Sequence, residues 1–127
     1  MVTRHGGQVV KTTGDGCLAV FEGPSAALRA TEDLDRSLTA QGLSARFGVH
    51  TGEVELRDDD VGGIAVHLAA RVMDEAEPHE ILVSEAVPLL MIGSGVTFEE
   101  KGSVELKGLD GTWRLHRVRR QTDPTPS

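Results

Sequence analysis

The chain has 127 residues, of which 39% are hydrophobic and 26% are charged, a balance typical of one folded domain rather than a disordered segment. The formal net charge of −7 and the absence of a basic stripe argue against a nucleic-acid-binding surface. No apolar run approaches the roughly 18 residues that cross a bilayer, and no signal-peptide pattern opens the sequence. The single cysteine excludes an internal disulfide framework, so we expect a cytoplasmic protein.

The first third of the chain predicts a hairpin followed by a helix. Apolar-rich runs at 8–11 and 17–21 flank Asp15-Gly16, and an Asp-Gly pair between two such runs is typical of a β-hairpin turn. Between Pro24 and Gly42, apolar residues then recur at helical spacing. Proline suits the first turn of a helix and glycine suits its end, so both limits of this helix are marked.

The remaining elements complete an α+β pattern. They are, in order, a strand over 45–56 that ends in the acidic turn 58–60, a helix between Gly63 and Pro78, a buried strand over 81–83, a short helix over 85–91 capped by Ser84, and a hairpin over 96–118 with Trp113 and Leu115 directed inward. The order β-β-α-β-α-β-α-β-β predicts a sheet with helices on one face. Such a sheet usually has a strand before its first hairpin, and this order has none.

The domain is expected to cover residues 1–118, and residues 119–127 are expected to form a disordered tail. The tail is polar and contains two prolines, and chain ends of this kind are poorly ordered unless something holds them. Just before it, Arg117, Arg119 and Arg120 form a small basic cluster. We interpret this cluster as solvated.

Two charged residues flank the predicted hairpin tip. The plain interpretation makes Asp15 a turn-forming residue and Lys11 a solvated residue on a strand edge. The functional interpretation uses the glycines on each side of Asp15, which would let a metal ion and phosphates approach the backbone. The carboxylate would then serve as a hard oxygen ligand.

A second group consists of Asp60, His67 and Arg71. Arg71 follows His67 by four residues, so both side chains project from the same helix face. The plain interpretation is a partly exposed histidine and an arginine whose head reaches solvent. An unpaired guanidinium among small apolar residues is costly, however, and an anionic partner such as a phosphate would account for it. Lys107 by itself is an ordinary hairpin lysine.

Together these segments resemble the class III adenylate/guanylate cyclase family over residues 6–118 and in the family's order. The matching segments are Lys11-Thr12-Thr13-Gly14-Asp15-Gly16, Phe47-Gly48-Val49-His50-Thr51-Gly52-Glu53, Asp60-Val61-Gly62-Gly63, Ala69-Ala70-Arg71, and Leu106-Lys107-Gly108 followed by Gly111-Thr112-Trp113. The resemblance implies a ferredoxin-like (βαββαβ-derived) nucleotidyl cyclase fold that lacks its first central strand. It also implies a head-to-tail homodimer, or pairing with a second cyclase domain, with active sites at the interface.

The resemblance assigns four residues to the nucleotide. Lys11 and Asp60 match the pair that reads the purine, and a lysine donor with an aspartate acceptor suits the N1 and N6 atoms of adenine, which favours ATP. Arg71 matches the arginine that stabilises the pentavalent transition state. Lys107 matches the lysine that contacts the terminal phosphates.

Asp15 matches the second of two aspartates that hold a pair of Mg²⁺ or Mn²⁺ ions, and here the chain departs from the family. The family's first metal aspartate lies in an opening strand of the type Phe-x-Asp-[Ile/Val]-x-Gly, which does not occur before the first hairpin of this sequence. One carboxylate does not readily hold two magnesium ions. His67 is the other departure, since it stands where the family has an asparagine that orients the ribose. An imidazole can also donate there, with a charge that depends on pH.

Three functions remain open at this stage. The first is an adenylate cyclase that converts ATP to 3′,5′-cyclic AMP and pyrophosphate for signalling, impaired in this chain unless an opening strand is encoded upstream. The second is a non-catalytic cyclase-homology module that dimerises or binds a nucleotide as a regulator. The third is an α+β domain whose function the sequence does not indicate.

Overall fold

The computed structural model describes residues 8–13, 16–52, 55–57, 60–62 and 64–119. The elements are β1 (Gln8–Thr13), β2 (Gly16–Val20), α1 (Pro24–Ala40), β3 (Phe47–Val49), β4 (Glu55–Arg57), β5 (Asp60–Gly62), α2 (Ile64–Asp74), β6 (Ile81–Ser84), α3 (Ala86–Leu90), β7 (Phe98–Glu105) and β8 (Thr112–Val118). This is the predicted α+β order with β4–β5 as an additional hairpin. Within the described ranges, no helix is long and apolar enough to span a membrane.

The centre of the molecule is a four-stranded sheet in the order β3-β6-β8-β7. β3 runs parallel to β6, and the β6–β8 and β8–β7 pairs are antiparallel. Successive side chains of a strand point to opposite faces. Ile81 and Val83 therefore face one side of β6, with α1 and α3, while Leu82 faces the other side, with α2.

The helices thus cover both faces of the sheet, and the prediction of helices on one face is wrong. The first core cluster joins Leu28 of α1 and Val87 of α3 to the α1/α3 face of the sheet. The second joins Leu68 and Val72 of α2 to Leu115 on the opposite face. The sheet is buried on both sides at β6, and all four residues of that strand are buried. A continuous apolar run such as Ile81-Leu82-Val83 is what burial on both faces requires.

Gly48 allows α2 to lie directly on β3. A Cβ built on Gly48 would stand 2.4 Å from the backbone nitrogen of Met73 and 2.6 Å from the carbonyl oxygen of Ala69. No side chain fits between atoms this close, so the helix backbone rests on the strand backbone. This contact explains why α2 takes the face that α1 leaves uncovered.

The predicted strand over 45–56 is interrupted. β3 ends at Val49, and residues 55–57 pair instead with 60–62 in a separate two-stranded sheet. Asp60 consequently lies in β5, opposite Arg57, rather than in an acidic turn. The apolar alternation of β3 stops after Val49, where the polar residues His50 and Thr51 follow.

The arginines near the end of the chain are paired, which also differs from the prediction of a solvated basic cluster. Arg117 and Arg119 both pair with Glu99 of β7, at 3.1 and 2.8 Å between guanidinium nitrogen and carboxylate oxygen. The backbone of Arg119 is held as well, because its N–H donates to the carbonyl of Thr97. These arginines brace β8 against β7 instead of being merely solvated. Arg120 and the rest of the expected tail lie outside the described residues.

A cavity of about 850 Å³ separates the β1–β2 hairpin from the main sheet. Ala19 of β2 lies on one side of it, all of β3 lies on the other, and α1 and α2 contribute Leu34 and Ala69. β3 is the terminal strand of its sheet, and the hairpin forms a sheet of its own. Among the described residues, this cavity therefore lies between β2 and the edge of the main sheet at β3.

Candidate functional site

The structure brings α2 and the β7–β8 turn together at His67. The side chain of His67 is exposed, and a Cβ built on Gly108 would lie 3.1 Å from its Nε2 atom. Gly108 has a φ of +82°, a value that glycine adopts without steric cost. The exposed Lys107 precedes it in the same turn. The predicted ribose-orienting residue therefore lies beside the turn that carries the predicted terminal-phosphate residue.

Arg71 lies one helical turn after His67 on the same side of α2. Its guanidinium Nη1 atom donates to Oδ2 of Asp74 at 3.1 Å. Its Nε atom is buried and has no hydrogen-bond partner among the described residues. A buried donor without an acceptor is costly, so this guanidinium is only partly satisfied where it stands. An oxyanion would complete it.

For Lys11 and Asp60, the structure describes the position of the backbone. Lys11 lies in β1, opposite Leu18, and Asp60 begins β5. β1 and β5 contact each other, and β5 contacts α2. The strands that carry the two predicted purine-reading residues are therefore neighbours, beside the helix that carries Arg71. The roles of all four residues on the nucleotide stay predictions.

The predicted metal site cannot be assembled from the described residues. Asp15, its expected ligand, lies outside them. Within the part of the chain that is described, no three His, Cys, Asp or Glu side chains group as a metal site. Two-metal chemistry needs several carboxylate or phosphate oxygens. Since Asp15 lies outside the described residues, the magnesium or manganese site stays a prediction.

Sequence reasoning missed a histidine–serine pair at the ends of two parallel strands. Nδ1 of His50, just after β3, lies 2.6 Å from the Oγ atom of Ser84 at the end of β6. Ser84 is buried in the strand, so its prediction as the cap of α3 is wrong, and Glu85 takes that position. Burial lowers the pKa of His50, because the charged imidazolium loses hydration there. The only signal in the sequence was a polar residue after each apolar strand.

Sequence reasoning also missed Asp74 and the polar end of Trp113. Asp74 stands three residues after Arg71, a spacing that brings side chains together on a helix. Trp113 packs against the α2-side core as predicted, but its Nε1 atom is buried and lacks a partner among the described residues. Among the described residues, Trp113 Nε1 and Arg71 Nε are thus donors without acceptors on the α2 side of the sheet.

Comparisons with known proteins give one consistent family. The model of the adenylate and guanylate cyclase catalytic domain matches residues 1–119. An uncharacterised protein of Mycobacterium tuberculosis is 36% identical over 94 residues, which are 72% of this chain and 33% of that protein. An adenylate cyclase of Glutamicibacter nicotianae is 38% identical over 84 residues, 65% of this chain and 21% of that enzyme. The chain therefore spans a third or less of these two relatives.

The fold comparison agrees. A solved structure from Silicibacter pomeroyi, described as an adenylate/guanylate cyclase/hydrolase, superimposes with a TM-score of 0.81 at 30% identity, covering 95% of this chain and 77% of that one. The adenylyl cyclase CyaB from P. aeruginosa has the same fold, with a TM-score of 0.70 at 22% identity. On the matching family model and the identity to its members, the chain belongs to the class III adenylate and guanylate cyclase catalytic domains.

Proposed function

We propose that this domain binds ATP in a head-to-tail dimer and supplies the nucleotide-contacting half of an adenylate cyclase site. The observation that carries the proposal is the close approach of His67 to Gly108. It supports a site in which α2, the helix that carries Arg71, lies next to the turn that carries Lys107. Two cations on these neighbouring elements would suit a triphosphate, because guanidinium and ammonium groups bind phosphate oxygens through charge-assisted hydrogen bonds.

The purine end of the ligand would lie toward β1 and β5. Their contact makes Lys11 and Asp60 suitable as a donor and an acceptor for one base. Adenine presents an acceptor at N1 and a donor at N6, which matches a lysine and an aspartate. Guanine has a donor at N1 and an acceptor at O6, which does not. The pair therefore supports ATP over GTP as substrate.

The proposed reaction is an intramolecular phosphoryl transfer. The ribose 3′-oxygen attacks the α-phosphorus, the bond to the bridging oxygen of the β-phosphate breaks, and 3′,5′-cyclic AMP and pyrophosphate form. The proton of the 3′-hydroxyl passes to water in this step. Arg71 would stabilise charge on the transferring phosphoryl group, Lys107 would hold the pyrophosphate oxygens, and His67 would orient the ribose. When bound, the family's magnesium or manganese ions would lower the pKa of the hydroxyl.

Cyclic AMP formation tests the proposal. The chain, Arg71→Ala and Arg36→Ala would be incubated with ATP or GTP and manganese, and cyclic nucleotide measured by mass spectrometry. We expect weak formation of cyclic AMP from ATP, at least about a 100-fold loss in Arg71→Ala, and no loss in Arg36→Ala. Arg36 is a matched control because it also pairs with an aspartate three residues away on a helix, α1. Equal rates for Arg71→Ala and the unchanged chain would contradict the assigned role.

A regulatory module that binds ATP without turnover is the second candidate. Asp15→Ala separates the two functions. A cyclase should lose activity in this variant. A non-catalytic module should show no cyclic AMP in either protein while equilibrium dialysis still detects bound ATP.

A further inference from the structure

One aspartate competes with the phosphates for Arg71. Asp74 engages Nη1 of Arg71 at 3.1 Å, while Nε of the same guanidinium is buried and has no acceptor among the described residues. The Nε and Nη2 groups form the edge of a guanidinium that binds two oxyanion oxygens at once. Asp74 therefore occupies Arg71 without using the edge that suits a phosphate.

The direction of this contact matters. His67 lies four residues before Arg71 and Asp74 lies three residues after it, so His67 and Asp74 are about 10 Å apart along the helix axis. His67 is the residue that contacts the Lys107–Gly108 turn. Along α2, Asp74 therefore lies on the other side of Arg71 from the residue that approaches that turn. Arg71 is paired with a carboxylate that is not part of the proposed phosphate-binding groups.

The contact is also weak enough to exchange. The side chains of Arg71 and Asp74 are 32% and 54% exposed, and pairs so accessible to water contribute little to stability. A triphosphate offers more negative charge and can satisfy two guanidinium donors together. Phosphate oxygens are therefore the better partner, and the Asp74 carboxylate opposes their approach both by holding Arg71 and by its own charge.

We infer that Asp74 is an autoinhibitory residue that holds Arg71 in a resting position until a triphosphate displaces it. The inference rests on the proposed role of Arg71 in nucleotide binding. It makes Asp74 a residue that acts through Arg71, with no contact to the substrate of its own. Removing its charge should therefore strengthen triphosphate binding, and only while Arg71 is present.

A double-mutant cycle tests this. Binding of inorganic triphosphate and of ATP, each with magnesium, would be measured by equilibrium dialysis for the full chain, Asp74→Asn, Arg71→Ala and the double variant. Trp113, the single tryptophan, gives a second readout by fluorescence. We expect Asp74→Asn to tighten triphosphate binding about two- to five-fold, the scale of one exposed ion pair. In the Arg71→Ala background the same change should have no effect.

Asp33→Asn is the matched control, because Asp33 forms the corresponding three-residue pair with Arg36 on α1. It should leave the affinity unchanged. Equal tightening by Asp33→Asn, or tightening by Asp74→Asn that persists without Arg71, would show a general charge effect and overturn the inference. Unchanged triphosphate binding in Asp74→Asn would also overturn the inference. If Arg71→Ala nevertheless abolished ATP binding, the proposed function would still stand. Tightened triphosphate binding with no preference for ATP would support the role of Asp74 and count against the nucleotide site.

Discussion

The four-stranded sheet meets its helices in different ways on its two faces. Toward α1 and α3, large side chains such as Phe47 and Ile81 interdigitate with Leu28 and Val87 in a continuous apolar layer. Toward α2, Gly48 lets two backbones touch, and the residues around that contact include a hydrogen-bonded histidine and a half-satisfied arginine. The first face stabilises the domain through burial. The second face positions polar groups as well as apolar ones, and it carries the candidate site.

Adding one methyl group at Gly48 should have the largest effect. In Gly48→Ala the new Cβ would stand 2.4–2.7 Å from backbone atoms of α2, and backbone cannot move aside as a side chain can. We expect a loss of about 3 kcal/mol in the free energy of unfolding, measured by urea denaturation. Gly23→Ser is the control, since nothing lies within 4 Å of its Cβ and serine is a favourable helix cap. Equal stability of Gly48→Ala and the unchanged chain would mean that the two faces pack alike.

A smaller change on the opposite face should affect stability alone. Ile81 is 1% exposed, and Ile81→Val removes one buried methylene, which should cost about 1 kcal/mol of unfolding free energy. Because Ile81 faces α1 and α3, the affinity for inorganic triphosphate should not change. Weakened triphosphate binding in this variant would break the proposed division between a stabilising face and a site-bearing face.

The pH dependence of stability should report on the α2 face. Burial lowers the pKa of His50, so the unfolded chain binds that proton more tightly than the folded one. The contribution is complete above the unfolded pKa of about 6.5 and is lost as the pH falls below it. We expect His50→Asn to flatten the decline of unfolding free energy between about pH 7 and 5, by at most about 1.4 kcal/mol per pH unit. Parallel profiles for the two proteins would assign the decline to other groups.

The order of the elements could be predicted because its signals are local. Helical spacing between Pro24 and Gly42, and the turn residues at the hairpins, depend only on neighbours in the sequence. The side of the sheet that each helix covers is not local. It depends on the contact of Gly48 with Ala69 and Met73, which lie more than twenty residues later in the sequence. A glycine in a strand permits a close backbone approach, but the sequence does not show which backbone approaches it.

For the candidate site too, the sequence predicted some features and not others. Matching segments implied that His67, Arg71 and Lys107 act together, and the contact of His67 with the turn after Lys107 is consistent with that. The long-range polar pairs of the fold could not be predicted from pattern. His50 finds Ser84 at a separation of 34 residues, and the buried Asp35 finds His79 at a separation of 44. Each such pair depends on tertiary packing that brings two distant polar atoms to hydrogen-bonding distance.

The contact at Gly48 has a mechanical consequence. A strand and a helix that touch through their main chains have no side-chain rotamers between them to absorb a displacement, so β3 and α2 should move as one lever. β3 also lines the cavity beside the β1–β2 hairpin. Arg71 lies between Ala69 and Met73, the two residues of α2 that meet Gly48. A displacement of that wall of the cavity would therefore shift the turn of α2 that carries the guanidinium.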